Sequence, residues 1–318
     1  MNIFKVIFQS VVALLGIGVL GFWVIRREVI PENILHFLSV LAIDIALPSI
    51  VFSNVVSNLS PSDFPDWWQL PLWWLVFSSV ALLLTLITMF VSQKNTRSEF
   101  ALSLFFQNGI FFPLIIISGL FGRETPYLLH LFIFMMFHPT LYFGTYHLFF
   151  RNRTDRTGSK LNLKRILNPV LIATLIAVAV GLLGIKDHLP EFIISIFQIL
   201  GEMALPLVMI ILGGSLYLDF QKKGKIYVAE IVKFVLIKNI VFPLVFLGLL
   251  IILHPDYNVA LLFILQSAVP PITGIPIVTE REGGNRAITN QFILASFIFS
   301  IISIPVIFNF FNTFFPMP

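Results

Sequence analysis

Apolar residues fall along this 318-residue chain in ten blocks separated by short polar connections. The first five blocks cover about 4–25, 34–57, 70–92, 98–121 and 126–150. The second five cover about 166–185, 190–218, 226–253, 257–279 and 287–314. An α-helix needs about 20 residues to cross the roughly 30 Å hydrocarbon core of a bilayer, and each block meets that length. The pattern predicts an all-α membrane protein of ten transmembrane helices.

Two blocks cannot be regular helices throughout. The ninth contains VPPITGIPIVT, Val269 to Thr279, with Pro270, Pro271, Gly274 and Pro276 in an otherwise apolar run. Proline lacks an N–H and collides with the carbonyl four residues back, so no regular helix passes through this stretch. The fourth block contains Gln107-Asn108-Gly109 followed by Phe111-Phe112-Pro113. Glycine lets the backbone unwind there, and the amides offer donors. Backbone freed inside a membrane must be buried in protein or line a polar cavity. Broken spans at corresponding places in two halves of a chain point to the substrate site of a repeat-built transporter.

Charge gives the orientation. Basic residues follow the odd-numbered spans: Arg26 and Arg27, Lys94 and Arg97, six between Arg151 and Arg165, Lys222, Lys223 and Lys225, and Arg281 and Arg286. Those fifteen face only Lys5, Arg123 and Lys186 on the other side. The positive-inside rule then places both termini outside and these five connections in the cytoplasm. Trp67 and Trp68, beside Asp63 and Asp66, suit an outer interfacial belt. The basic stretch 151–165 divides the chain into a first five-helix repeat, 1–150, and a second, 166–318. Five is odd, so the second copy must insert upside down. Leu47-Pro48 recurs as Leu205-Pro206, Asn108 maps near Pro270, and Pro113 maps near Gly274 and Pro276.

Composition agrees and narrows the chemistry. Residues are 58% hydrophobic and 11% charged, against about 45–50% and about 25% in soluble domains. There is no cysteine, which rules out disulfides and cysteine nucleophiles. The net charge of +4 is accounted for by the cytoplasmic connections and does not indicate a nucleic-acid partner. The first apolar run is span-length, precedes Arg26 and Arg27, and lacks a small-residue cleavage site, so no cleavable leader is expected. HExxH, GxSxG and phosphate-cradling Gly-Lys motifs are missing, and the connections are too short for a catalytic domain. No enzyme activity and no cofactor are expected.

If both breaks cross near the midplane, two half-helix N-termini converge on one small volume and favour an anion such as a carboxylate. Asn108, Gly109, Pro113, Pro270, Pro271, Thr273 and Gly274 form this candidate site, with Ser53 and Asn54 of the second span beside it. Thr279 and Gln266 could add contacts, although each alone more often bonds its own helix. Gly213-Gly214-Ser215 suits a close helix contact. Ionisable residues inside a membrane are functional suspects. Asp44, Lys238 and Glu202 are therefore coupling candidates, with Gln107 and Gln266 as neutral ones, and Asp44 and Lys238 could form an acid–base pair. Lys233 is expected to snorkel. His130, His138 and His147 lie roughly on one face, where packing is preferred over metal binding, and no metal site is expected.

Several segments together resemble the auxin efflux carrier family of membrane transport proteins: LPSIVFSNV, QNGIFFPLI, LNPVLIATLIAVAVGLLGI, LPEFIISIFQILGEMALPLVMIILGGSL and AVPPITGIPIVTEREGGN with the final span. The resemblance implies two inverted five-helix repeats with broken, crossed helices 4 and 9, a sodium/proton-antiporter-like fold. It implies a scaffold of helices 1, 2, 6 and 7 beside a moving domain of helices 3–5 and 8–10. It also implies alternating-access transport of small organic anions, auxin-like or dicarboxylate, across the plasma membrane of a prokaryote. Asn108, Pro113, Pro270 and Pro271 match the family's crossover residues, and no second Asn is seen in helix 9. H+ or Na+ would be the coupling ion, and an apolar scaffold face suits a homodimer. The rivals are a sodium-coupled carrier of the bile-acid symporter type and a non-transporting receptor or scaffold.

Overall fold

Proline and capping residues explain most of where the helices of this computed structural model start, slip and stop. The structure describes residues 3–29, 31, 34–60, 62, 64–122, 125–150, 168–221 and 225–318. The basic connection expected at 151–165, with Asp63, Arg123, Lys222 and Lys223, lies outside them. Among the described residues the chain is all-helical, apart from one isolated bridge described below.

Among the described residues, seven helices are long and apolar enough to cross a membrane: Ile3–Arg26 (α1), Phe37–Asn58 (within α2), Gln69–Val91 (α3), Pro126–Phe150 (α5), Glu191–Leu218 (within α7), Val228–Leu253 (α8) and Arg286–Phe314 (α10). Three shorter apolar helices accompany them: Phe111–Phe121, Pro169–Leu182 (α6) and Tyr257–Ala268. Phe111–Phe121 (α4b) follows Arg97–Phe105 (α4a), and Tyr257–Ala268 (α9a) precedes Ile275–Arg281 (α9b). The fourth and ninth blocks are therefore both broken, at the residues where the sequence predicts it.

The other prolines leave subtler marks. In α2, which begins at Ile34, Pro48 withholds the N–H that Asp44 carbonyl would accept. The ladder widens to a π-turn over Leu41–Ala46, and Leu47 N–H donates to Ala42 O. Pro243 does the same to Asn239 in α8, giving a π-turn over Ile237–Val241. Pro206 faces the carbonyl of Glu202, where α7 pauses at Met203 between Glu191–Glu202 and Ala204–Gln221. Asp44, Glu202 and Lys238 thus each lie four or five residues ahead of a proline, at a local slip of the helix. In α5, expected as one rod, Pro139 interrupts the ladder and a turn at 135–137 separates Pro126–Phe134 from His138–Thr145. At the start of α6, Asn168 accepts from Leu171 N–H at 2.9 Å and Pro169 fills the first position, which starts the helix later than residue 166.

The helices pack in two groups, or bundles, which share a broad contact of α1 with α4b and α10. α1 runs along α7, and α2 packs on α6 and α7. A β-carbon on Gly213 would overlap Gly18 O, and one on Gly21 would overlap Ile210 O, so α1 and α7 touch backbone to backbone as small residues allow. In the other bundle, α3, α5, α8 and α9a are knit by rings: Phe77 stacks on Phe246 at 4.5 Å and meets Phe263 edge-on at 5.5 Å. α10 packs on α8 and α9b. The bundles meet where α1 lies against α4b and α10, and where α2 lies against α5.

Candidate functional site

The two helix breaks find each other. Beyond Phe105 the backbone turns extended at Phe106 (φ −95°, ψ 102°), and beyond Ala268 it does so at Val269 (φ −75°, ψ 152°). The strands so formed pair antiparallel at Gln107 and Pro271. Asn108 N–H donates to Pro270 O at 2.8 Å, and Ile272 N–H donates to Phe106 O at 3.0 Å. Part of the backbone freed by glycine and proline is thereby satisfied inside the protein, as a low-dielectric setting requires.

Side-chain amides complete the crossing. Gln266 Nε2 donates to Gly109 O at 2.7 Å, and Gln107 Nε2 donates to Gln266 Oε1 at 3.3 Å. All residues from 99 to 110 and from 259 to 271 are buried, so both halves meet within the protein rather than at lipid. Gly109 has no room for a side chain: a β-carbon would overlap Gln266 Oε1 and Met135 Cε.

Several buried polar atoms at the crossing have no protein partner. Asn108 is 2% exposed and its Nδ2 is unbonded, as are Tyr142 OH and His138 Nε2; Thr279 Oγ1, also unbonded, lies away from the crossing near Gly284. Tyr142 packs edge-on against Phe106 at 4.9 Å, and its hydroxyl lies 3.4 Å from where a Gly274 β-carbon would stand. The His138 ring is held at the Gln107 backbone. A narrow recess, too tight for a water molecule, lies beside it, lined by Ser78, Gln107, His138 and the rings of Phe77, Phe105 and Phe106.

Of the residues singled out in the sequence, Gln107, Asn108, Gly109, Gln266, Pro270 and Pro271 come together here. Pro113 is buried in the first turn of α4b, while Thr273 and Gly274 are half-buried at the start of α9b. Ser53 and Asn54 bond within α2 instead: Ser53 Oγ donates to Ile50 O at 3.3 Å, and Asn54 O accepts from Asn58 Nδ2 at 2.8 Å. Asp44 and Lys238 are not brought together. Asp44 is exposed in a turn that packs on α6 and α7, whereas Lys238 is 1% exposed beside α9a and α10. Glu202 is exposed on α7. His138, expected to pack or to bond between helices, packs against Phe106 and bonds the Gln107 backbone at the crossing. The Pro139 that breaks α5 next to it was the available signal. The second amide sought in helix 9 is Gln266, two residues before Ala268 and not at the prolines themselves.

A family model described as "Membrane transport protein" matches residues 6–308, nearly the whole chain. The chain belongs to that family, the auxin efflux carriers. Among its relatives, Protein PIN-LIKES 1 of Arabidopsis thaliana is 28% identical over 172 residues, 49% of this chain and 36% of that protein. The match therefore spans about a third of the relative's length. As a membrane transport protein it is a multi-pass membrane protein of a transporting rather than enzymatic family. Its long apolar helices suit lipid surroundings.

Proposed function

We propose that this membrane transport protein is a secondary transporter that carries a small organic anion, a carboxylate, across the plasma membrane by alternating access. The crossing of α4 and α9 holds the anion. The observation that carries this reading is the amide cluster: Gln107 and Gln266 are bonded across two breaks, while Asn108 Nδ2 is buried without an acceptor. Leaving such a group unpaired costs about 1–3 kcal/mol, and a ligand oxygen relieves it. The start of α4b adds free N–H groups and the positive end of a helix dipole.

The recess beside His138 is too tight for a water molecule, far below the roughly 300–1,000 Å³ of ordinary ligand pockets. In this conformation the site is closed, and access requires the bundles to part. The bundle of α1, α2, α6 and α7 is the scaffold, and that of α3–α5 and α8–α10 carries the anion. Three features support ten spans in two inverted repeats, 1–150 and 166–318, with both termini outside. The fourth and ninth helices break in matching places, proline slips recur at Pro48 and Pro206, and basic residues follow odd-numbered spans.

The test is uptake of radiolabelled mono- and dicarboxylates by proteoliposomes containing the full chain. Saturable uptake is expected, with loss in Asn108→Ala and Pro271→Ala variants that keep the wild-type melting temperature. Unchanged uptake in both variants would sink the site, and absence of any saturable flux would sink the transport reading.

A further inference from the structure

Lys238 sits deep in the carrier bundle with no carboxylate to answer it. The π-turn ahead of Pro243 sets it between α9a and α10, where it is 1% exposed. Among the described residues its ammonium makes no hydrogen bond or salt bridge, and its contact is the Phe242 ring, 5.1 Å to the centroid. Its neighbours are neutral or already paired. Gln266 of α9a is bonded within the crossing, and Ser296 of α10 bonds Asn239 at 2.8 Å. On its own helix, Glu230 is held by Lys233 at 2.8 Å and by Ser92 at 2.6 Å. The titratable side chain within electrostatic range is His138, the ring that sits against Gln107 at the crossing.

A buried cation without a counter-charge is costly, and such residues persist in membranes where a visiting ion or substrate supplies that charge. Apart from the His138 ring, and Arg281 within electrostatic range of Tyr142, the crossing presents amides, hydroxyls and backbone. At the crossing Asn108 Nδ2 and His138 Nε2 are unbonded, and the His138 ring is within electrostatic range of Lys238.

We infer that Lys238 is the counter-charge of the transported anion, so that the site takes carboxylates bearing one negative charge in preference to dianions. A single ammonium neutralises a single carboxylate. A second charge would be left buried among neutral groups, which is the same penalty with the sign reversed. The inference rests on the transport reading above and narrows its substrate class.

The experiment is thermal stabilisation of the purified full-length protein by butyrate, succinate and butyramide near neutral pH, where succinate carries two charges. Wild type and Lys238→Met are compared. Wild type is expected to respond to butyrate, weakly to succinate and not to butyramide. Methionine has a similar volume and removes the charge, so the unliganded variant melts at or above the wild-type temperature. It needs at least about tenfold more butyrate for the same rise, because the charge that fixed the ligand is gone. A lowered melting temperature with an unchanged butyrate response would mark Lys238 as structural and overturn the inference. Preference of wild type for succinate would overturn it as well. If wild type responds to no carboxylate of the panel, the transport reading beneath the inference fails instead.

Discussion

At Gly109 the side chain is a single hydrogen because Gln266 Oε1 and Met135 Cε occupy the space where a β-carbon would go. Gly109→Ala should push Gln266 off the Gly109 carbonyl and cost about 1–3 kcal/mol as overpacking. The expected readings are a lower melting temperature in detergent and reduced carboxylate uptake. Gln266→Leu removes the amide that serves both Gly109 O and Gln107, leaving two buried groups unpaired at about 1–3 kcal/mol each. It should be at least as damaging, and a melting curve would check it. Residue chemistry was legible where backbone freedom was at stake: Gly109, Pro270 and Pro271 are visible in sequence because few residue types behave as they do. Partnerships were not legible. The Gln107–Gln266 bond depends on which break meets which, and the π-turns at Asp44 and Lys238 rotate those side chains away from the faces that a regular 3.6-residue repeat assigns them.

The broken helices are also tied at their far ends. Glu99, fully buried on α4a, accepts from the N–H of Asn285 at 2.8 Å, just beyond α9b. Asn285 in turn donates to Tyr227 OH at 3.0 Å and caps α10 through Ile288 N–H. Glu230 gathers Ser92, Thr96, Gln93 N–H and Lys233 around one carboxylate. These contacts join the starts of α4a, α8 and α10 into one polar plate under the crossing. Glu230→Ala strands Ser92 and the Gln93 N–H, while Lys233, about a third exposed, can turn to water. The expected loss is about 1–3 kcal/mol of stability, seen in melting curves, with the carboxylate concentration for half-maximal response unchanged. Seven span-length helices among the described residues and both breaks followed from hydrophobic length, glycine and proline. The plate did not, because its partners on different helices lie 58–186 residues apart along the chain.

For the whole molecule, the transport reading requires one bundle to move against the other. The chain has no native cysteine, so introduced pairs act without background. Ser10 Oγ of α1 lies 2.5 Å from where a Gly119 β-carbon of α4b would stand, across the boundary between the bundles. Ser10→Cys with Gly119→Cys, once oxidised, should arrest uptake, and a reductant should restore it. Asn239→Cys with Ser296→Cys links α8 to α10 inside one bundle, and bridging it with a short thiol reagent should leave uptake intact. Equal effects from both pairs would argue against relative motion of the bundles.

The seam between α1 and α7 has a mechanical consequence. With Gly213 against Gly18 and Gly21 against Ile210, the two helices interlock through their main chains, and no flexible side chain cushions a slide. In the proposed transport cycle α1 would be a fixed rail: one edge packs on α7 main chain to main chain, and the other is the surface against which α4b and α10 would slide. Selection should tolerate change very differently on its two edges. A larger residue at Gly213 derails assembly, whereas changes on the α4b side, at Ser10, retune how easily the carriage runs.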